Sequence, residues 1–485
     1  MAIQFLKLTR QNEWKTWVAR VPNIGALGGG MVVLTSEESV KHVLKTNFDN
    51  YIKGNEFQAW LSEFLGNGVF ASDGAIWKHH RKVASHMFSA RLLRHTLAVG
   101  YDVGISMINR IKNKIAANKN VIDIQDIFFR FTIDIFTLVA FGVHLHSFER
   151  EDQHPFAKSF DAIQAAIIQR VPNPLWRLSR CLGTTKTEKT IKNCSNVINN
   201  FAMNVISQKR RTADDKNDDA KNSKNSKNAN INNDSSLGPD LISRFLEKSK
   251  KDNTTMTNDE LRDIVLNFMI AGRDTTACAL TWCMYELSLH PEHADLIRQE
   301  TKDNNILSSS SKNQDPHDET VAKERYAALN QMKYTEAYIY EVLRLHPSVP
   351  IDIKYSINKD VLPDGTIIPP GVLVCYSPYV LGRNPKVWSN LKYPIDAFHP
   401  NRWMEKETKP NTYAYPQFNA GPRLCLGKGL AMLEIKLGMA MLLNEFEVPI
   451  PKWKGAENGI VPKYQMTLTH PVNGGLKVEM KLRKK

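Results

Sequence analysis

Between Phe418 and Gly429 the chain reads FNAGPRLCLGKG, and a run with helical spacing, GLAMLEIKLGMAMLL, follows at once. Cys425 therefore sits just before a helix N-terminus. Free N–H groups and the positive end of the helix dipole favour a thiolate there. Gly421 and Gly427 admit unusual backbone angles and the close approach of another body to the loop. The other cysteines, at 181, 194, 278, 283 and 375, form no C-x-x-C pair and no disulfide framework with it. That usage fits a reducing compartment.

The loop closes a chain of 485 residues, 42% of them hydrophobic, which is enough to bury a large core. From Trp77 to about Glu300 the pattern is mostly helical. Before it, MVVLTSEESVKHVL reads as a strand and a helix capped by Ser36, with Val40, Val43 and Leu44 on one face. After it, VLPDGTIIPPGVLVCY switches to strands around a PDG turn. The expected architecture is a single, mainly α domain over 1–485 with a small β region. Two Asn-, Lys-, Asp- and Ser-rich stretches, 212–236 and 308–320, lack apolar side chains and are expected to be disordered insertions. The net charge of +14 suits an acidic protein or an anionic membrane. No basic stripe with interleaved aromatics appears, which argues against nucleic acid. The first twenty residues are neither a signal peptide nor the ~20-residue apolar run of a spanning helix.

A lone sulfur at such a turn has three readings: an inert thiol, a nucleophile whose base lies elsewhere, or the axial ligand of a haem. Haem also needs cations for its propionates, and Arg423 stands two residues before the sulfur. FMIAGRDTTACALTWCMYELSLHP lies in a long helical run that opens with the capping box TNDE at Thr257–Glu260 and stops at Pro291. Within it Gly272, Asp274 and Thr275 are poor helix formers, so the run kinks there. YEVLRLHP puts Glu341 and Arg344 one turn apart. WKHHRK puts Trp77 and Arg81 on one helix face, with His79 and His80 expected to be solvated.

F-x-x-G-x-R-x-C-x-G is matched at Phe418, Gly421, Arg423, Cys425 and Gly427. A-G-x-[DE]-T-T is matched by AGRDTT, E-x-x-R by Glu341 and Arg344, and W-x-x-x-R by Trp77 and Arg81. These four motifs, in this order, resemble the cytochrome P450 family from about Pro22 to the C-terminus. The resemblance implies a triangular helical prism around haem b, with Cys425 as the axial thiolate. Trp77, Arg81 and Arg423 would hold the propionates, with Lys354 as a further contact. Glu341, Arg344 and Arg402 would lock the proximal face. Asp274 and Thr275 would deliver protons while one oxygen atom of O2 enters a C–H bond.

Electrons would come from NADPH through a cytochrome P450 reductase docking near Lys428. The chain would lie on the cytoplasmic face of the endoplasmic reticulum with peripheral membrane contact, since the apolar anchor and proline-rich hinge of membrane-bound members are absent from its opening residues. Similarity is greatest to the fatty-acid ω-hydroxylase branch, which implies a lipophilic substrate. Phe57, Trp60, Phe64 and Phe70, with Phe268 and Met269, are the candidate channel residues. The alternatives are a sterol or terpenoid substrate, a haem-thiolate isomerase or dehydratase, and a haem sensor. Non-oxygenating members commonly lose the acid–alcohol pair that is present here.

Overall fold

The computed structural model describes residues 2–20, 30–85, 88–173, 175–222, 240–251, 256–307, 315–388, 392–405 and 409–484. Two helices are buried on every side. Thr276 to Leu287 of the helix Thr275–Leu289 are all buried, as are Met432 to Leu443 of the helix Lys428–Glu445. Neither has an amphipathic stripe, as expected of helices inside a core rather than on its surface. Around them pack Ala90–Ala116, Ile124–Phe141 and Lys333–Leu345. Their shared core contains Phe128, Phe131, Leu280, Trp282, Tyr338 and Leu437. A second core, around Phe64, Phe160, Ile163 and Met269, lies among the helices Gly54–Leu65, Pro155–Ile168, Lys186–Asn222 and Asn258–Met269.

The β region is a five-stranded sheet in the order Trp17–Arg20, Gly30–Leu34, Leu373–Tyr376, Asp352–Ser356, Tyr51–Ile52. Gly30–Leu34 and Leu373–Tyr376 run parallel, with Met31 opposite Leu373; the other pairs are antiparallel. The PDG segment joins Asp360–Val361 to Ile367–Ile368, and Gly365 takes a positive φ of 83° in the turn.

Ser36 caps its helix by accepting from the Ser39 N–H at 3.2 Å, and Val40, Val43 and Leu44 are fully buried. Thr257 accepts from the Glu260 N–H at 3.1 Å. Parts of both expected insertions, 212–222 and 315–320, are ordered. The helix that starts at Lys186 continues to Asn222, because 212–222 contains neither Gly nor Pro and extending a formed helix costs little. The remainder of that stretch lies outside the described residues. The second stretch ends in order, with Asp318 capping the helix Glu319–Gln331 through the N–H groups of Thr320 and Val321; 308–314 lie outside the described residues. No helix among the described residues is long and apolar enough to cross a membrane.

Candidate functional site

The Cys425 loop is tied at its base. The Cys425 N–H donates to the Phe418 carbonyl at 2.8 Å, and a short 3-10 turn, Gly421–Arg423, fills the span between them. Gly421 has φ 63°, and a Cβ there would meet the Leu44 carbonyl oxygen at 2.0 Å, so this position requires glycine. Gly427 has an ordinary φ of −87°, which corrects the expectation of an unusual backbone at both glycines. A Cβ at Gly427 would instead lie 3.9 Å from Cys425 Sγ and 3.5 Å from the Phe88 ring, so a side chain there would grow into the space beside the sulfur.

Cys425 is exposed although protein surrounds it. Burial pushes its thiol above the ordinary value, while the Gly427 and Lys428 N–H groups and the Arg81 charge pull it down. Burial wins in the chain alone. A metal ion would deprotonate the thiol outright.

Beside this loop the cations converge. The Arg423 guanidinium lies 4.6 Å from the Trp77 ring and that of Arg81 lies 6.0 Å from it. Arg81 donates to the Leu424 carbonyl at 2.6 Å. Arg423 donates to the Ser72 carbonyl and to Asp73 Oδ1, each at 2.9 Å. The Asp73 carboxylate also accepts the N–H groups of Lys53 and Gly54, which pins the helix Gly54–Leu65 to this corner. Lys53 pairs with Asp352, two residues before Lys354 on the same strand.

Lys354 is fully buried, and its ammonium has no hydrogen-bond partner among the described residues. Burial, then repulsion from Lys53 and Arg423, pushes it well below the ordinary lysine value. Among the described residues Lys53, Lys354 and Arg423 have Asp73 and Asp352 as their acidic neighbours, and Arg81 faces Cys425. With Lys354 protonated, the four cations exceed these two carboxylates by two positive charges. An exposed sulfur next to a largely buried cluster with an excess of positive charge fits one haem, which brings an iron and two propionates.

Across from the loop the long helical run does kink, as a π-turn over Ile270–Asp274 between Asn258–Met269 and Thr275–Leu289. Such bulges recur at functional sites. A Cβ on Gly272 would strike the Phe136 ring at 2.9 Å. Asp274 is buried, and Gln164 Nε2 donates to its Oδ2 at 2.5 Å. Arg273 bridges Asp274 Oδ1 at 2.7 Å and Asp161 Oδ1 at 2.5 Å. Burial raises Asp274 to about 6 against the pull of Arg273. The Thr275 hydroxyl donates back to the Ala271 carbonyl at 2.5 Å. The acid and the alcohol are neighbours in sequence, but their side chains bond to different partners. A polar cavity of about 180 Å³, lined by Asp126, Asp161, Gln164, Asp274 and Thr467, reaches the acid.

Glu341, Arg344 and Arg402 meet with no solvent exposure. Glu341 accepts from Arg344 Nε and Nη2 at 2.8 Å, from Trp403 Nε1 at 2.9 Å and from Arg402 Nε at 3.4 Å. Burial opposes its charge, yet the two arginines hold the carboxyl below the usual range.

His80 is a correction: it is 6% exposed rather than solvated, because Trp77, His80, Val83 and Ala84 share the inward helix face. His79 stays exposed. Lys428 is half-buried, its ammonium 5.3 Å from the rings of both Tyr340 and Phe418. Of the candidate channel residues, Trp60, Phe64 and Met269 are buried core, Phe57 and Phe268 are partly buried, and Phe70 is exposed.

Sequence reasoning missed Asp73, Asp352, Gln164 and Asp161, which act through contacts from distant segments. It also missed Phe88, whose ring lies 6.1 Å from that of Phe268. Only Asp352 left a signal, since a period of two puts it on the Lys354 face of the strand.

The Cytochrome P450 family model matches residues 16–478. Cytochrome P450 704B1 of Arabidopsis thaliana is 33% identical over 92% of this chain and 85% of its own length. Cytochrome P450 94A1 of Vicia sativa is 32% identical over 95% and 83%. The crystal structure of the cytochrome P450DA heme domain superposes with a TM-score of 0.75 at 18% identity, covering 100% of this chain and 92% of that one. The last comparison establishes the fold, and the sequence matches establish the lineage: the chain belongs to the cytochrome P450 family of haem-thiolate monooxygenases.

Proposed function

We propose that this monooxygenase hydroxylates a fatty acid at or near its methyl end. Haem, when bound, supplies the iron chemistry that activates dioxygen for insertion into a C–H bond. In this reading the Cys425 thiolate would hold its iron, and Trp77, Arg81, Lys354 and Arg423 would hold the propionates. Phe418, Gly421 and Gly427 shape the loop, and Glu341, Arg344 and Arg402 brace the chain behind it. Asp274, poised near neutrality, takes protons from the polar cavity, and the Thr275 hydroxyl passes them towards the reacting oxygen by giving up its bond to Ala271. Electrons come from NADPH through a cytochrome P450 reductase. The protein works at the cytoplasmic face of the endoplasmic reticulum, and the exposed face of Leu175, Leu178 and Leu182 supports peripheral membrane contact there. It acts as a single domain.

The observation that carries the substrate reading is the phenylalanine lining. Phe88 stands against Gly427 beside the sulfur, and Phe268, just before the π-turn, stands against Phe88, so this side of the sulfur is apolar. An alkyl chain gains about 0.8 kcal/mol per buried CH₂ in such surroundings. Similarity to the fatty-acid ω-hydroxylase branch points the same way. The test is a titration of the ferric holoenzyme with fatty acids of increasing length. A spectral shift whose affinity rises with chain length, and products oxidised near the methyl end in the presence of NADPH and reductase, are expected. A shift with sterols or terpenoids but none with fatty acids overturns the substrate assignment.

A further inference from the structure

On the far side of the core the helix Thr275–Leu289 ends and a second helix, Glu292–Asp303, begins within three residues. His290 leaves the helix with φ −129° and ψ 65°, and Pro291 opens the next one, so His290, Glu292 and His293 fold around one point. Their ligand-type atoms all lie within 4.8 Å of one another. Glu292 Oε1 stands between two imidazole nitrogens, 3.7 Å from His290 Nδ1 and 3.9 Å from His293 Nε2.

The two rings are oriented by their surroundings. Phe398 packs against both, with centroid distances of 5.3 Å and 5.4 Å. The far nitrogen of each ring also has a polar neighbour: His293 Nδ1 is 2.6 Å from the Tyr334 hydroxyl, and His290 Nε2 is 3.8 Å from Glu286 Oε2. Partners behind an imidazole are what fix ring orientation and tautomer in metal-binding histidines. In the tautomer whose Nδ1–H donates to the Tyr334 oxygen, the Nε2 lone pair of His293 is left for a cation. Glu292 is 65% exposed, so its carboxylate is free to move inward. The ligand atoms of a tetrahedral zinc site stand roughly 3.3 Å apart, as bond lengths near 2.0–2.1 Å require. Two of the separations are 3.7 Å and 3.9 Å and the third is within 4.8 Å, so binding draws the three side chains together. A cavity of about 370 Å³ borders the three residues and leaves room for a water as fourth ligand.

We propose that His290, Glu292 and His293 bind one divalent cation of the zinc class, through Nδ1, Oε1 and Nε2. Two imidazoles and a carboxylate favour zinc over calcium or magnesium, which take oxygen ligands. The bound ion clips the end of the helix that carries Thr275 to the start of the next, so it stabilises the folded chain. This site is separate from the Cys425 loop and takes no part in the oxygen chemistry.

The test uses untagged, haem-loaded, chelator-treated protein, in which Cys425 is already engaged, titrated with zinc chloride in a calorimeter. One site is expected, with the melting temperature raised by zinc. Affinity should fall at least tenfold in both Glu292→Gln and His290→Asn, and by less in Tyr334→Phe. An unchanged carbon monoxide difference spectrum verifies that each variant is folded. Absence of binding in the wild-type protein, or equal affinity in the wild type and both ligand variants, overturns the site.

Discussion

Two buried charge clusters stand on either side of the Cys425 loop, and they differ in one respect. The Glu341 cluster is complete. Its carboxylate accepts from Arg344, Arg402, Trp403 and the His399 N–H, and Arg344 spends its remaining donors on the carbonyls of Gly382, Ile395 and Ala397. The Lys354 cluster is incomplete: with Lys354 protonated it has two more positive charges than negative, and that ammonium has no partner among the described residues. A buried charge left without compensation is expensive. The first cluster therefore belongs to the fold, and in the proposed reading the haem propionates complete the second. Buried ions thus separate into architecture and site by whether the chain itself satisfies them.

The largest break is at the sulfur beside the open cluster. Cys425→Ser should abolish the red-shifted Soret band of the reduced carbon monoxide complex and all monooxygenase activity. A variant that kept the band would remove Cys425 as the iron ligand.

Next comes the closed cluster. Glu341→Ala leaves Arg344 and Arg402 buried without their carboxylate, at a cost of about 3–5 kcal/mol. Chemical denaturation should show that loss in the apo chain, before any haem is added. A variant as stable as the wild type would mean that this cluster is no part of the fold's stability.

Lys354→Met should do the opposite in the two states. The folded lysine has a lowered pKa, so between that value and the ordinary lysine range the unfolded chain binds the extra proton. Wild-type apo stability therefore rises with pH towards the ordinary lysine value, and is most penalised below it. Methionine removes that dependence and stabilises the apo chain at neutral pH. In the loaded protein the same change removes one cation from the propionates, weakening haem retention by about 2 kcal/mol, roughly thirtyfold. Haem transfer to apomyoglobin measures the second effect and a pH series of unfolding curves the first. Retention equal to wild type would strike Lys354 from the propionate set.

These clusters also show which parts were legible in the sequence. Glu341 and Arg344 lie one turn apart, so local spacing reveals them, and Trp77 and Arg81 likewise share a helix face. The loop from Phe418 to Gly427 is a single contiguous motif. What completes each cluster comes from far away: Trp403 and the 399 amide for one, Asp73, Lys53 and Asp352 for the other. Periodicity carries no information about such pairings. His80 was misread because the polar string KHHRK hides which of its members faces inward. The π-turn was visible as a cluster of weak helix formers, but its type depends on the packing of Gly272 against Phe136.

The smallest structural effect, and the finest distinction, belongs to Thr275. Its hydroxyl is neither open like Lys354 nor locked like Glu341: it is satisfied by the Ala271 carbonyl, four residues back across the π-turn. Bonds of this kind are local and weak, so the group can leave without disturbing the core. Thr275→Ala should therefore keep haem, keep the carbon monoxide band and unfold within about 1 kcal/mol of wild type. Its product yield per NADPH consumed should fall severalfold, with the missing electrons recovered as peroxide, and Thr275→Ser should restore the yield because it restores the hydroxyl. A merely structural threonine would give the reverse pattern: altered stability with an unchanged ratio of product to NADPH. That ratio, measured in the two variants side by side, decides whether the π-turn holds a proton donor or only a bend.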